Sequence, residues 1–398
     1  MTKSKHGLGI FIVSSMLGAL ACVSPADTQD IEPELSVGAR AVASAGVDIG
    51  TDPGAPEEVA GVLDFSDTAL LVRGQVQLFN EWLGGSLIGI QFPDSDSNLG
   101  VLFVHQANVF LQAQWLDIRA GRTRIQSSIL EIPTLRDDDF LPYSDTLNPF
   151  ATGQTTEDHQ YGNVVEATVN YESQYFLAAH AEHLFLTPGD GGSVDFSLNS
   201  YGATLAYRSI PARADQQVVR TIGAGINYYD VPDDTLAPVW NVMAGAALNV
   251  STDPVHLLDA RAQVIYAHGD GSTVLADANS TYRTRNVRGA LTLRYQYTEA
   301  ELPKLQVALM GGYARYFQGA DGEETASLAL NGFYNLGYGF QIGAQYQVSL
   351  ATMQIRAALG TPEVVHRAEL ALVFSYELVV NRLPIRSSIL NVEHGYIP

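Results

Sequence analysis

One cysteine in 398 residues leaves no disulfide framework and no cysteine-based zinc site. Charge is also scarce: Asp, Glu, Lys and Arg make up 16% of the chain, against roughly 25% in a soluble protein. The 22 Lys and Arg residues face 43 acids, for a net charge of −21. No excess of cations is left for phosphates, which argues against nucleic acid as a partner. No apolar run reaches the ~18 residues that a transmembrane helix requires. What is present is 46% hydrophobic residues, too many for a disordered chain. Glycine (36), tyrosine (19) and phenylalanine (15) are plentiful. The mean hydropathy of +0.04 is spread evenly, as in a β-barrel immersed in lipid.

Residues 1–26 have the form of an export signal. Lys3 and Lys5 precede a short apolar core from Leu8 to Ala21. Cleavage after Ala21 or after Ala26 fits. Cys22 as a lipidated N-terminus is a competing reading, with Ala19 where such sites usually carry Leu. Loss of Lys3 and Lys5 takes 22 cations to 20 against an unchanged 43 acids, or −23. The expected division is a signal over 1–26, a barrel over 27–378 and a periplasmic extension over 379–398.

From residue 35 the dominant period is two, the strand period. Phe340, Ile342, Ala344, Tyr346 and Val348 interleave with Gln341, Gly343, Gln345 and Gln347. The polar positions recur as Gln, Asn, Arg, Ser and Gly, which describes a wet interior and an apolar exterior. Sixteen such segments can be placed: about 35–49, 67–80, 86–92, 100–115, 117–125, 161–171, 174–186, 194–208, 217–229, 239–250, 256–268, 285–298, 304–317, 325–334, 339–350 and 364–378. Connections alternate between short and long. Tyr171, Tyr175, Tyr295, Tyr297, Tyr334 and Tyr338 sit beside short turns, where an interfacial girdle is expected.

With its export signal, its strand count and a long connection after the fifth strand, the chain resembles the Gram-negative outer-membrane porins. The resemblance implies an all-β, transmembrane antiparallel barrel of about 16 strands, with a long third outer loop folded into the lumen. It also implies an outer-membrane channel for small hydrophilic solutes and ions, contacts with outer-membrane lipid and lipopolysaccharide, and a homotrimer. One departure is the end: porins usually stop at an aromatic residue, whereas 22 residues follow Tyr376.

After removal of the signal the chain keeps one lysine, Lys304, and nineteen arginines. Arg40, Arg73, Arg119, Arg261, Arg288, Arg294 and Arg367 fall on the inward parity. Arg122 and Arg124 join them only if a bulge at Gly121 shifts the register. These nine form the expected basic wall of a constriction, with Asp137, Asp138 and Asp139 of the long loop opposite. Guanidinium suits carboxylate and phosphate, so an anion- or phosphate-selective porin is the alternative function. The competing structural reading pairs the arginines with Glu166, Asp195, Asp259 and Glu369.

No cofactor and no metal site is expected, since His180 and His183 face opposite sides of a strand. A remote alternative is a lipid hydrolase, in which a hairpin sets His183 opposite Ser197 with Asn199 beside it. No oxyanion donor can be identified, and the expectation is that the chain is not an enzyme.

Overall fold

The computed structural model describes residues 33–51, 58–64, 68–78, 82–91, 103–124, 161–172, 174–183, 200–209, 217–229, 239–253, 255–269, 272–274, 281–283, 285–299, 302–317, 323–351 and 363–380. All its regular elements are strands. The first half of the chain forms β1 (Glu34–Thr51), β2 (Glu58–Asp64), β3 (Ala69–Gln77), β4 (Leu83–Gln91), β5 (Phe103–Gln112), β6 (Leu116–Arg124), β7 (Tyr161–Tyr171), β8 (Tyr175–His183) and β9 (Ser200–Arg208). Then come β10 (Val219–Tyr229), β11 (Val239–Thr252), β12 (His256–Gly269), β13 (Ser272–Val274), β14 (Thr281–Arg283) and β15 (Asn286–Glu299). The chain finishes with β16 (Leu302–Tyr316), β17 (Glu323–Gly337), β18 (Phe340–Ala351) and β19 (Val364–Val380).

Antiparallel pairing runs from neighbour to neighbour, and β1 pairs with β19 from Leu35↔Val380 to Thr51↔Val364, which closes the sheet. Closure satisfies every edge, the condition for a sheet in lipid. Seventeen strands occupy sixteen positions, because β2 and β3 are successive segments against successive stretches of β1. Thr68 bridges the break by exchanging hydrogen bonds with the backbone of Val42. The second strand therefore starts near residue 58 rather than 67. The hairpin β13–β14 stands apart from the barrel.

The two faces separate as the period-two pattern requires. Leu205, Leu291, Leu328, Leu370 and Tyr376 are exposed on the outer face. Gln345, Gln347, Ser349 and Ser327 are buried on the inner face and bond to one another in a chain: Gln345 Nε2 to Gln347 Oε1 at 3.3 Å, Gln347 Nε2 to Ser349 Oγ at 3.1 Å, and Ser349 to Ser327 at 3.1 Å. The inner face is not uniformly polar. Met243, Ala247 and Ile265 form one apolar cluster on it, and Ala308, Met310 and Ala329 form another. At the short-turn rim Tyr171 and Tyr175 lie 6.4 Å apart, Lys304 caps the Tyr334 ring, and Tyr338 is fully exposed. This is the girdle expected where strands leave the hydrocarbon.

The face assignment predicts that, in a Cys22→Ser background, cysteine at Gln341 reacts with a membrane-impermeant thiol reagent at least ten times faster than cysteine at Ile342, a factor that a membrane barrier readily exceeds (~ten as a lower bound). Equal rates at the two positions in lipid vesicles would reject the arrangement. β19 runs to Val380, two residues past the expected end of the barrel. The expected signal at 1–26, the expected long loop at 126–160 with Asp137, Asp138 and Asp139, and residues 381–398 lie outside the described residues.

Candidate functional site in the barrel lumen

Asp259, four residues into β12 from the short-turn rim, is fully buried and takes three arginines. Arg261 donates Nε to Oδ1 at 3.2 Å, Arg220 donates Nη1 to Oδ2 at 3.1 Å, and Arg294 donates Nε to Oδ2 at 2.8 Å and Nη2 to the same oxygen. Their adjacency follows from the sheet. Asp259 and Arg261 share a face at i, i+2, and Arg294 stands directly opposite Asp259 across the β12–β15 ladder. Three positive charges thus meet one negative charge. The arginines retain some exposure, 27% for the side chain of Arg220 and 12% for Arg261 and Arg294, so the group is not sealed from the lumen.

Arg220 reaches the site through a bulge. Val219 pairs with Leu248 and Thr221 with Ala247, leaving Arg220 as the extra residue between them. By simple alternation it falls on the same parity as the lipid-facing Ile222 and Ile226. The inserted residue breaks that parity and turns the guanidinium inward. Arg208, the last residue of β9, lies on the inner parity with the buried Thr204 and Ala206, and pairs with Thr221 next to Arg220.

The other expected arginines are distributed among separate partners. Arg73 lies 3.6 Å from the buried Glu34. Arg119 forks onto Asp117 at 3.2 and 2.9 Å, and faces Glu166 across β6–β7. Arg288 donates to Asn286 at 2.6 Å. Arg367 forks onto Asp48 at 2.8 and 2.7 Å, tying β19 to β1. Arg40 is half-buried between Ala69 and Ser375 on the flanking strands. Arg73 lies at the middle of β3, Arg119, Arg261 and Arg294 lie toward the short-turn ends of their strands, and Arg288 and Arg367 lie toward the other end. Of the nine arginines, Arg261 and Arg294 are brought together.

The register change at Gly121 does not occur. Pairs on both sides of β6 stay in one register from Leu116 to Arg124, with Gly121 opposite Asn108 and Val164. Arg122 therefore keeps the parity of Ile118, the outward one, and the side chain of Arg124 lies outside the described residues. Asp259, one acid of the competing reading, takes three arginines. Asp195 lies outside the described residues. Sequence reasoning missed Arg220 and Arg208. For Arg220 the available signal was an arginine on a lipid-facing parity, which is expensive enough to suggest a local bulge.

The described register between β8 and β9 differs from the one that the hydrolase reading assumes. Glu182 pairs with Ser200, two residues from the register that sets His183 opposite Ser197. Ser197 and Asn199 lie outside the described residues. No group of three metal-ligating side chains occurs among the described residues.

The chain matches no protein-family model and no curated protein sequence. Its fold is that of solved outer-membrane barrels. The anion-selective porin from Comamonas acidovorans shares 15% identity, with 87% of this chain and 100% of that chain covered and a TM-score of 0.58. The outer-membrane channel DcaP of Acinetobacter baumannii shares 17%, covering 88% and 99%, at a TM-score of 0.56. OmpT, an outer-membrane protein of Vibrio cholerae solved in its trimer form, shares 9%, covering 86% and 99%, at a TM-score of 0.55. The fold shared with these barrels is a closed antiparallel sheet of sixteen strand positions.

Proposed function

We propose that this chain is a porin of the Gram-negative outer membrane, a water-filled channel for passive diffusion of small hydrophilic solutes and ions rather than an enzyme. The observation that carries this is the sorting of faces: an exposed apolar belt outside, and Gln, Asn, Ser and paired arginines inside a closed ring of strands. A polar inner face loses less by meeting water than by meeting a packed plug.

A preference for anions is the second reading, favoured by the three arginines gathered at Asp259. The total charge of −21 acts in the opposite sense, but screening weakens distant charges beyond ~10 Å in 0.1 M salt. Charges lining the lumen therefore outweigh those on the rims. In this proposal the acidic run Asp137, Asp138 and Asp139 forms the opposing wall of the constriction. Assembly as a homotrimer is part of the same reading. It is supported by the trimeric barrel of similar fold and by an outer-face depression where Ala45, Gly332, Ala344 and Ala368 leave room between Leu330 and Leu370.

The test is conductance in a planar bilayer under a salt gradient. Arg261→Ala combined with Arg294→Ala should move the reversal potential toward cations, and Asp138→Ala should move it toward anions. Closure of each inserted unit in three equal steps would support the trimer, and single steps would reject it. Absence of any conductance from correctly folded protein would sink the channel reading in both forms.

A further inference from the structure

On the inner face around the β1–β19 seam, side chains are buried whose neighbours are too small to bury them. Leu71 of β3 is fully buried. Its cross-strand partners are Gly38 on β1 and Gly89 on β4. Along β3 it has Ala69 on one side and Arg73 on the other, and Arg73 leans away toward Glu34, 3.6 Å distant. Ala371 is buried between Ser44 of β1 and Gly343 of β18, and it joins Val42, Val373 and Phe333 in an apolar cluster. A barrel of sixteen positions encloses a water-filled space. An inner side chain flanked by glycines meets that water unless something covers it from the lumen. Among the described residues, the strands and their turns form the wall, and hairpin β13–β14 springs from the long-loop rim.

Position narrows the choice of cover. Leu71, Gly38 and Glu377 form one row across β3, β1 and β19. β19 ends three residues further on, at Val380 on the short-turn side, a distance of ~10 Å at the rise of a strand. Eighteen residues follow Val380, which span up to ~60 Å when extended. The way back from Val380 to Ala371 along β19 is ~30 Å. Leu383, Ile385, Ile389, Leu390 and Val392 make this stretch apolar, and Arg382, Arg386 and Glu393 are its charged side chains. Asn381 and Pro384 at its start are residue types that reverse a chain. The segment before β1 is less suited: residues 27–32 carry Asp27, Asp30 and Glu32 and one aliphatic side chain, Ile31.

We propose that residues 381–398 fold back through the short-turn mouth and lay their aliphatic side chains on Leu71, Val42, Ala371 and Val373, narrowing that mouth from inside. Apolar tail on apolar wall removes both surfaces from water, a gain that a polar wall does not offer. The tail is tethered to the strand that it covers, so its effective concentration at the patch is high. The inference rests on the porin reading above for its effect on conduction, and on the fold alone for the contact.

The full chain and a chain ending at Val380 can be compared in nonionic detergent, each with Leu71→Cys in the Cys22→Ser background and a hydrophilic maleimide as the probe. Shortening should raise the labelling rate of Leu71→Cys ~tenfold or more. It should leave unchanged the rate of Gln263→Cys, on β12 across the lumen. Single-channel conductance of the shortened chain should also rise. Equal rates at Leu71→Cys would overturn the proposal and assign the cover to another segment, such as 27–32, or to a partner. An equal rise at both positions would overturn it as well, because the whole barrel would then have loosened. Unchanged conductance of a channel that conducts would count against it in the same way. Should the shortened chain fail to fold, the full chain with Ile385→Asp and Ile389→Asp sets two carboxylates where apolar contact is required. The same rise at Leu71→Cys is then expected, and its absence would reject the contact. Faster labelling of a protein that conducts in neither form would sink the channel reading and leave the contact standing.

Discussion

Asp259→Ala is expected to destabilise the barrel by about 3 kcal/mol and, in the molecules that still fold, to shift ion preference strongly toward anions. The two effects share one cause. The carboxylate accepts from Arg220, Arg261 and Arg294 while itself being shut away from solvent. Without it, three guanidinium groups from three strands lose the carboxylate that they share. Removal of one partner from a buried charge cluster typically costs ~3–5 kcal/mol. The lower end applies because the arginines are partly exposed and lumen water screens their repulsion. Asp259→Asn keeps an acceptor for Arg261 or Arg294 but not the charge, so it should fall between the two. Chemical unfolding in lipid vesicles, followed by the shift of the folded band on unheated gels, measures the first effect. The reversal potential measures the second. A variant as stable and as selective as the unmodified protein would mean that Asp259 holds nothing together.

The barrel was legible in the sequence because parity is a local property. Each strand declares its faces through alternation alone, and a one-residue slip would expose Gln345 or Glu369 to lipid and bury Leu370. Register between strands was not legible to the same degree. Whether His183 meets Ser197 depends on a two-residue offset between β8 and β9, and both offsets preserve the alternation. Strand β2 escaped notice for a physical reason: Val59, Ala60, Gly61 and Leu63 are all exposed, so no buried face imposes a period. Strands β13 and β14 are three residues each, too short to show one.

The lumen was less legible than the barrel. Alternation assigns an arginine to the inside but not to a level along the strand, and the expected single wall resolves into separate ion pairs toward both ends. Arg220 was hidden because a bulge leaves no mark in the pattern that it interrupts. Inward Leu71, Ile265 and Met310 show that part of the inner face is apolar, which a composition of Gln, Asn and Ser does not reveal.

Gly121 shows how the same local reasoning can locate a special residue and misjudge its role. A glycine between two arginines at a strand end signals a bulge. Instead it holds a φ of 131° inside an unbroken ladder. A side chain there would collide with the carbonyl oxygen of Ala107 and lie 2.8 Å from the Cα of Asn108. Both obstacles are backbone of the neighbouring strand, so neither can rotate away. Gly121→Val should therefore combine a strained φ, worth ~1–3 kcal/mol, with an overpacked contact of similar size, ~1–3 kcal/mol. The expected result is loss of most of the folded band in refolding assays. Gly74 supplies the comparison: it sits mid-strand on β3, on the outward parity, with nothing within 4 Å of an added Cβ. Gly74→Val adds only apolar surface facing lipid and should refold like the unmodified protein. If both variants refold equally well, the close approach of β5 to Gly121 does not constrain the barrel, and the register through Arg119 and Arg122 must be drawn differently.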